Sequence, residues 1–165
     1  AGVGTARGIS PGACEYGGDK GIVGYGFDSS PSPYCTAVSN KISNGGVVAS
    51  DTAAVGTPRY SLEACSYGED KGIFGFGLTH PGTYTAITNL VSNVGVVASD
   101  TAGVGTARSH VAATQYGADT GIFGFGNTAP AKLSMSSLVS NVGVVSADVT
   151  GVGTARSGPA ACSWG

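Results

Sequence analysis

The side chains with the most chemistry to offer recur at fixed positions. All four arginines, Arg7, Arg59, Arg108 and Arg156, end copies of one hexapeptide: GVGTAR at 2–7, 103–108 and 151–156, and AVGTPR at 54–59. Six of the ten acidic residues repeat in step with them. Asp51, Asp100 and Asp148 stand shortly before a hexapeptide, and Asp19, Asp70 and Asp119 stand in a Tyr-Gly-x-Asp stretch. A planar guanidinium bridges a carboxylate or carbonyls with parallel N–H groups. A charge that recurs once per repeat is expected to hold each repeat together, because Arg–Asp pairing satisfies both charges. The functional alternative is a ring of arginines that binds an anion or an acidic glycan.

Other chemistries find little material. The repeated aspartates leave calcium open as a ligand, but each turn supplies one carboxylate where calcium takes about 6 to 8 oxygens. No other cofactor is expected. GVGTAR and GYGFDS are glycine-rich, yet neither sits in the strand–loop–helix setting, with a following acidic residue, that a dinucleotide fingerprint needs. His80 precedes Pro81 in a loop, and His110 lies where other repeats carry Ile9 or Ser61. Neither has a motif-borne serine or cysteine partner, and no His/Cys/Asp spacing suits zinc. The sequence reads as non-enzymatic, with no catalytic and no metal-ligating residues.

Cys14, Cys65 and Cys162 share one repeat position, two residues before Tyr16, Tyr67 and Trp164; the third repeat has Thr114 there. Cys35 lies where the second repeat has Tyr84. Four cysteines in a weakly charged chain rich in Gly, Ser and Thr favour two disulfides in an oxidising compartment, of undetermined connectivity. Buried small thiols are the alternative. Tyr25, Tyr34, Tyr60, Tyr84 and Trp164 could stack on sugars, although packing between repeats is preferred for such rings.

The elements that must position these residues follow from the repeat. Gly4, Gly56, Gly105 and Gly153 are spaced by 52, 49 and 48 residues. The chain therefore divides as a single repeat domain, 1–165: a seam strand 1–7, unit one 8–59, unit two 60–108, unit three 109–156 and a partial unit 157–165. GIVGYG and GIFGFG alternate with period 2, as strands do. LVSNVGVVASD gives two short β-branched runs around a turn signal. Four short strands per unit and a period near the roughly 40 to 50 residues of propeller blades imply an all-β fold. Charged residues are only 11% of the chain and net charge is −2, which removes any basic field for nucleic acid. No run of 18 apolar residues calls for membrane insertion. With Ala1 first and no signal-peptide pattern, the chain is expected to be processed or part of something longer.

The stretch from Arg108 to Gly126 resembles the kelch repeat through Arg108, Ala112, Ala113, Gly117, Ile122, Phe123, Gly124 and Gly126. Units one and two match through Arg7 and Arg59, Gly17 and Gly68, Gly24 and Gly75, and Gly26 and Gly77. Two features differ: the kelch double glycine is here Gly-x-Gly, and LVSNVGVVASDT replaces the later Tyr and Trp. The resemblance implies about three kelch-like blades of four antiparallel strands with partial terminal repeats, in a propeller or propeller-like array. The variant wording is similar to glycine-rich kelch-like proteins of bacteriophage and microbial structural assemblies. The expected function is a structural subunit of a fibre, sheath, virion decoration or surface, joined by terminal strand pairing to its own copies or to neighbouring subunits. The alternative is a carbohydrate-binding propeller module. The expected location is extracellular or virion-associated.

Overall fold

The computed structural model describes residues 3–29 and 34–163, and every element among them is a strand. Unit one folds as β1 (Gly12–Tyr16), β2 (Lys20–Gly24) and β3 (Ser39–Ile42), an antiparallel sheet in sequence order. Unit two has β4 (Glu63–Tyr67), β5 (Lys71–Gly75) and β8 (Thr88–Val91) in its sheet. A small hairpin, β6 (Leu78–Thr79) with β7 (Thr83–Tyr84), fills the connection. Unit three repeats this with β9 (Ala112–Tyr116), β10 (Thr120–Gly124) and β13 (Ser136–Val139), and with β11 (Asn127–Thr128) paired to β12 (Ala131–Lys132). The first hairpin of each unit turns through three residues, closing Tyr16 on Lys20, Tyr67 on Lys71 and Tyr116 on Thr120. Gly17, Gly68 and Gly117 begin that turn at φ of 63°, 56° and 58°, where only glycine is unstrained.

The expected fourth strand is not a strand. In each unit it is held by two isolated bridges: Ile42↔Val48 and Ser39↔Thr52, Val91↔Val97 and Thr88↔Thr101, Val139↔Val145 and Ser136↔Val149. The third strand advances three residues between its bridges (42−39, 91−88, 139−136), whereas the returning segment advances four (52−48, 101−97, 149−145). One extra residue is a β-bulge, which breaks the ladder and re-aims a side chain. Asp51, Asp100 and Asp148 sit immediately before the second bridge of each bulge.

The sheets stack in line, β1 against β4 and β4 against β9, so the core lies between units. One cluster joins Tyr16, Ile22 and Tyr25 to Leu62, Phe74 and Val91; the next joins Tyr67, Ile73 and Phe76 to Val111, Phe123 and Val139. Alternation sends Phe74 back to the Tyr25 ring, with centroids 5.2 Å apart, and Ile73 forward into the next cluster; Phe76, past the end of β5 at φ 64°, also turns forward and meets Phe123 at 5.1 Å. Bare backbone receives the rings. A Cβ on Gly24 would stand 3.0 Å from Phe74, and one on Gly75 would stand 2.8 Å from Phe123.

Candidate functional site

Each bulge aspartate is clasped by the hexapeptide that precedes its own unit. Thr5 donates from its amide and hydroxyl to Asp51 at 2.9 and 2.7 Å. Thr57 does the same to Asp100 at 3.0 and 2.6 Å, and Thr106 to Asp148 at 2.7 Å from both groups. The carboxylate occupies the space where Gly4, Gly56 or Gly105 would carry a Cβ, and those glycines hold φ of 83°, 77° and 79°. Hydrogen bonds set the carboxyl groups. The Thr5 hydroxyl, ahead of Asn40 and the Arg7 charge, holds Asp51 below its ordinary value. Burial pushes Asp100 and Asp148 up, but donors on Thr57 and Asn89, and on Thr106 and Ser137, more than offset it.

The arginines act across units. Arg59 and Arg108 side chains are 0% exposed. Arg59 lies over the Tyr25 ring of unit one at 4.4 Å and donates to the Phe76 carbonyl at 3.0 Å and to Asn89 Oδ1 at 2.6 Å in unit two. Arg108 lies over Phe76 at 4.2 Å, donates to the Phe125 carbonyl at 3.0 Å and pairs with Asp148 at 3.0 Å. The pairs Arg7–Asp51 and Arg59–Asp100 are looser, at 4.0 and 3.9 Å. Arg156 lies exposed over Phe125 at 4.7 Å. Tyr25, Phe76 and Phe125 each hold a left-handed φ, of 62°, 64° and 61°, which bulky residues seldom adopt. In unit one Arg7 donates to the Val38 carbonyl instead, and Asn40 Oδ1 is buried without a partner.

The turn aspartates stay at the surface. Lys20 and Asn44 donate to Asp19, Lys71 and Asn93 to Asp70, and Asn141 to Asp119. Their backbones join units: the Gly17 amide donates to the Asp70 carbonyl at 2.7 Å and Gly68 to that of Asp119 at 2.6 Å. Among the described residues no three His, Cys, Asp or Glu side chains gather as a metal site. His110 accepts or donates at Ser109 Oγ, 2.9 Å away, but Ser109 is fully buried, so no substrate reaches that hydroxyl.

Two sequence expectations are corrected here. All four cysteines are free, so the disulfides expected of Cys14, Cys35, Cys65 and Cys162 do not form. Cys14 presses on Gly72 and Cys65 on Gly121, where a Cβ would stand 2.7 Å from the sulfur of Cys65. Each sulfur is thus a small packing group facing a glycine of the next sheet, and burial pushes both thiols up to about 12. Tyr25 offers no face to a sugar, because it is 0% exposed beneath Arg59. Tyr60 packs edge-on to Phe27, and the Tyr84 hydroxyl accepts from the Ala129 amide at 2.8 Å. Tyr34 is 38% exposed; Trp164 lies outside the described residues, as do Ala1, Gly2 and Gly165 at the termini.

The chain matches no protein-family model and no curated protein.

The two ends of the stack differ from its interior. Tyr16 seats against the Gly95 loop and Tyr67 against the Gly143 loop, at 4% and 3% exposure, whereas the equivalent Tyr116 is 42% exposed. Gly124, equivalent to Gly24 and Gly75, has nothing within 4 Å of a Cβ position. A recess of about 180 Å³ opens there between the third sheet and Ala160–Ala161. At the opposite end, Gly46 of unit one also meets nothing. The threonines and asparagines of the clasp were missed as site residues. Their signal was present, since Thr5, Thr57 and Thr106 recur as strictly as the arginines do.

Proposed function

We propose that this protein is a non-enzymatic structural subunit, an open array of kelch-like, blade-like units that assembles with its own kind. The observation that carries the reading is the contrast in burial between equivalent residues: Tyr16 and Tyr67 are covered by the next unit, and Tyr116 is not. A face built for stacking, left open at an end, invites a partner. The polar groups support the same reading, because Arg59, Arg108 and the bulge aspartates are engaged in holding units together, and no three His, Cys, Asp or Glu side chains gather among the described residues. Head-to-tail contacts of this kind make rings or filaments, as a fibre, sheath, virion decoration or surface layer requires. Sedimentation velocity over a broad concentration range, with negative-stain microscopy, tests it: ordered oligomers are expected, and a monomer at every concentration rejects the proposal.

A second reading, glycan binding, draws on one observation. The Tyr34 ring lies 4.7 Å from His80 and stacks on Phe27 at 6.3 Å, forming a partly exposed aromatic strip. Glycan-array binding that Tyr34→Ala removes would favour it.

A further inference from the structure

The chain builds the same joint twice, and its parts can be assigned to two faces. The leading face of a unit supplies a small side chain, a tyrosine, a turn amide and a bare glycine. In units one and two these are Cys14 and Cys65, Tyr16 and Tyr67, the Gly17 and Gly68 amides, and Gly24 and Gly75. The trailing face of the next unit supplies a glycine under the sulfur, a glycine loop against the tyrosine, an aspartate carbonyl for the amide, and a side chain for the bare glycine. Those are Gly72 and Gly121, Gly95 and Gly143, Asp70 and Asp119, and Phe74 and Phe123.

Both faces recur at the ends of the stack, that of unit three only partly covered. Unit three presents Thr114, the exposed Tyr116, the Gly117 amide and the empty place over Gly124. Unit one presents Gly21, the open Gly46 loop, the Asp19 carbonyl and Val23. A Cβ at Gly21 would meet nothing closer than 3.5 Å, and one at Gly46 meets nothing, so neither seat is filled from within the chain.

We propose that unit one of a second copy docks on unit three, continuing the internal joint from chain to chain. The inference rests on the assembly reading above and names its contact: Tyr116 against the Gly46 loop, Thr114 over Gly21, and Val23 toward Gly124. Continuity with two joints already present argues for this occupant, because the incoming face repeats the trailing faces of units two and three position by position. Residues 156–163 now cover part of the socket, starting as the next unit does at the internal joints: Gly126 donates to the Arg156 carbonyl as Gly26 does to that of Arg59 and Gly77 to that of Arg108. They are anchored at their start and open at their end: the Arg156 amide donates to the Leu133 carbonyl at 3.2 Å, Gly126 to the Arg156 carbonyl at 3.0 Å, Ser157 to Asn127 at 3.2 Å and the Gly158 amide to the His110 carbonyl at 2.8 Å, while Ala160, Ala161 and Cys162 stay exposed. The incoming β1, paired to its own β2 over five residues, displaces them. Valine in place of phenylalanine underfills the Gly124 seat, so the joint between chains is weaker than the joints within one.

Two glycines at opposite ends test the geometry in the full chain. Gly124→Val and Gly21→Val add side chains where the single molecule has room, so each variant is expected to melt as wild type does. Gly75→Val, the same change at an internal joint, should melt far lower. In sedimentation velocity, wild type should assemble, and each end variant should stay monomeric to at least about ten-fold higher concentration, a loss of about 1.4 kcal/mol or more of association free energy. An equimolar mixture should form dimers and stop there, because the free end of each chain meets only the free end of the other kind. Gly46→Asn, tolerated at left-handed φ, should behave as Gly21→Val does and replaces it if that variant unfolds. Variants that assemble as wild type does, or a mixture that stays monomeric or grows into polymers, overturn the joint while leaving the assembly reading standing. A wild type that never associates overturns the assembly reading itself.

Discussion

The guanidinium of Arg59, the last residue of unit one, lies over the ring of Tyr25, 4.4 Å from its centroid. The same guanidinium reaches Asn89 at 2.6 Å and Asp100 at 3.9 Å in unit two. One side chain therefore ties the bulge of one unit to the aromatic face of the unit before it. Arg108 and Phe76 repeat the arrangement one unit later.

Truncating that tie leaves buried acceptors unpaired. Arg108→Ala should lower stability by about 2 to 3 kcal/mol, the cost of unsatisfied buried partners, read from urea denaturation at constant slope. Lysine should recover less than half, because the fork is lost. Arg156→Ala, at the surface, should cost less than about 0.5 kcal/mol. Equal losses at the two positions would mean that burial is not what makes Arg108 matter.

Acid should loosen the stack from its clasps. Asp51, Asp100 and Asp148 all titrate below the ordinary 3.8 in the folded chain. A depressed carboxyl contributes its full stability above the unfolded value and loses it as pH falls through the folded one. The melting temperature should hold steady from about pH 7 to about pH 5 and drop below about pH 4. Asp100→Asn should melt lower than wild type at neutral pH and converge with it in acid; a constant offset at every pH would assign the effect to packing.

The aromatics of unit three should differ in worth by their cover. Phe123→Ala empties a fully buried seat and should cost about 3 to 5 kcal/mol. Tyr116→Ala, on the open face, should cost less than about 1 kcal/mol in the single molecule, while weakening any association. Calorimetry on dilute protein separates the two effects.

Thiol labelling should follow position in the stack. At pH 8 in native protein, Cys162 should react quickly, and Cys14 and Cys65, whose thiols burial pushes up to about 12, should react only on unfolding. Mass spectrometry of non-reduced protein should show no internal disulfide. A protected pair that becomes free only with reductant would contradict this.

Removing residues 157–163, together with 164 and 165, takes away the segment lying on the third sheet. The three units should stay folded, and association should begin at lower concentration because the socket is clear. If association is lost instead, those residues are themselves the joining strand.

The strand character of the repeats was legible in the sequence; of the expected Arg–Asp pairs, Arg108–Asp148 is close at 3.0 Å, Arg7–Asp51 and Arg59–Asp100 stand at 4.0 and 3.9 Å, and Arg156 lies exposed over Phe125. Period-2 alternation of Ile, Phe and Gly is a local property of the chain, and so is the recurrence of GVGTAR. The fourth strand was misread because the β-branched run after the turn signal in LVSNVGVVASD reads as a strand does. Only the count of residues between bridges, three on one side and four on the other, reveals the bulge that turns Asp51, Asp100 and Asp148 toward the clasp. The cysteines were misread because an even count says nothing about which face of which sheet a thiol occupies, and Cys14 and Cys65 each face a glycine of the following sheet. Tyr25 and Tyr34 are both tyrosines with left-handed φ, yet one is sealed under an arginine and the other is open. The sequence by itself determined the unit. The tertiary structure decided which copies of that unit are covered, because burial belongs to a neighbour and Tyr67 and Tyr116 carry the same local pattern with a neighbour present over only one of them.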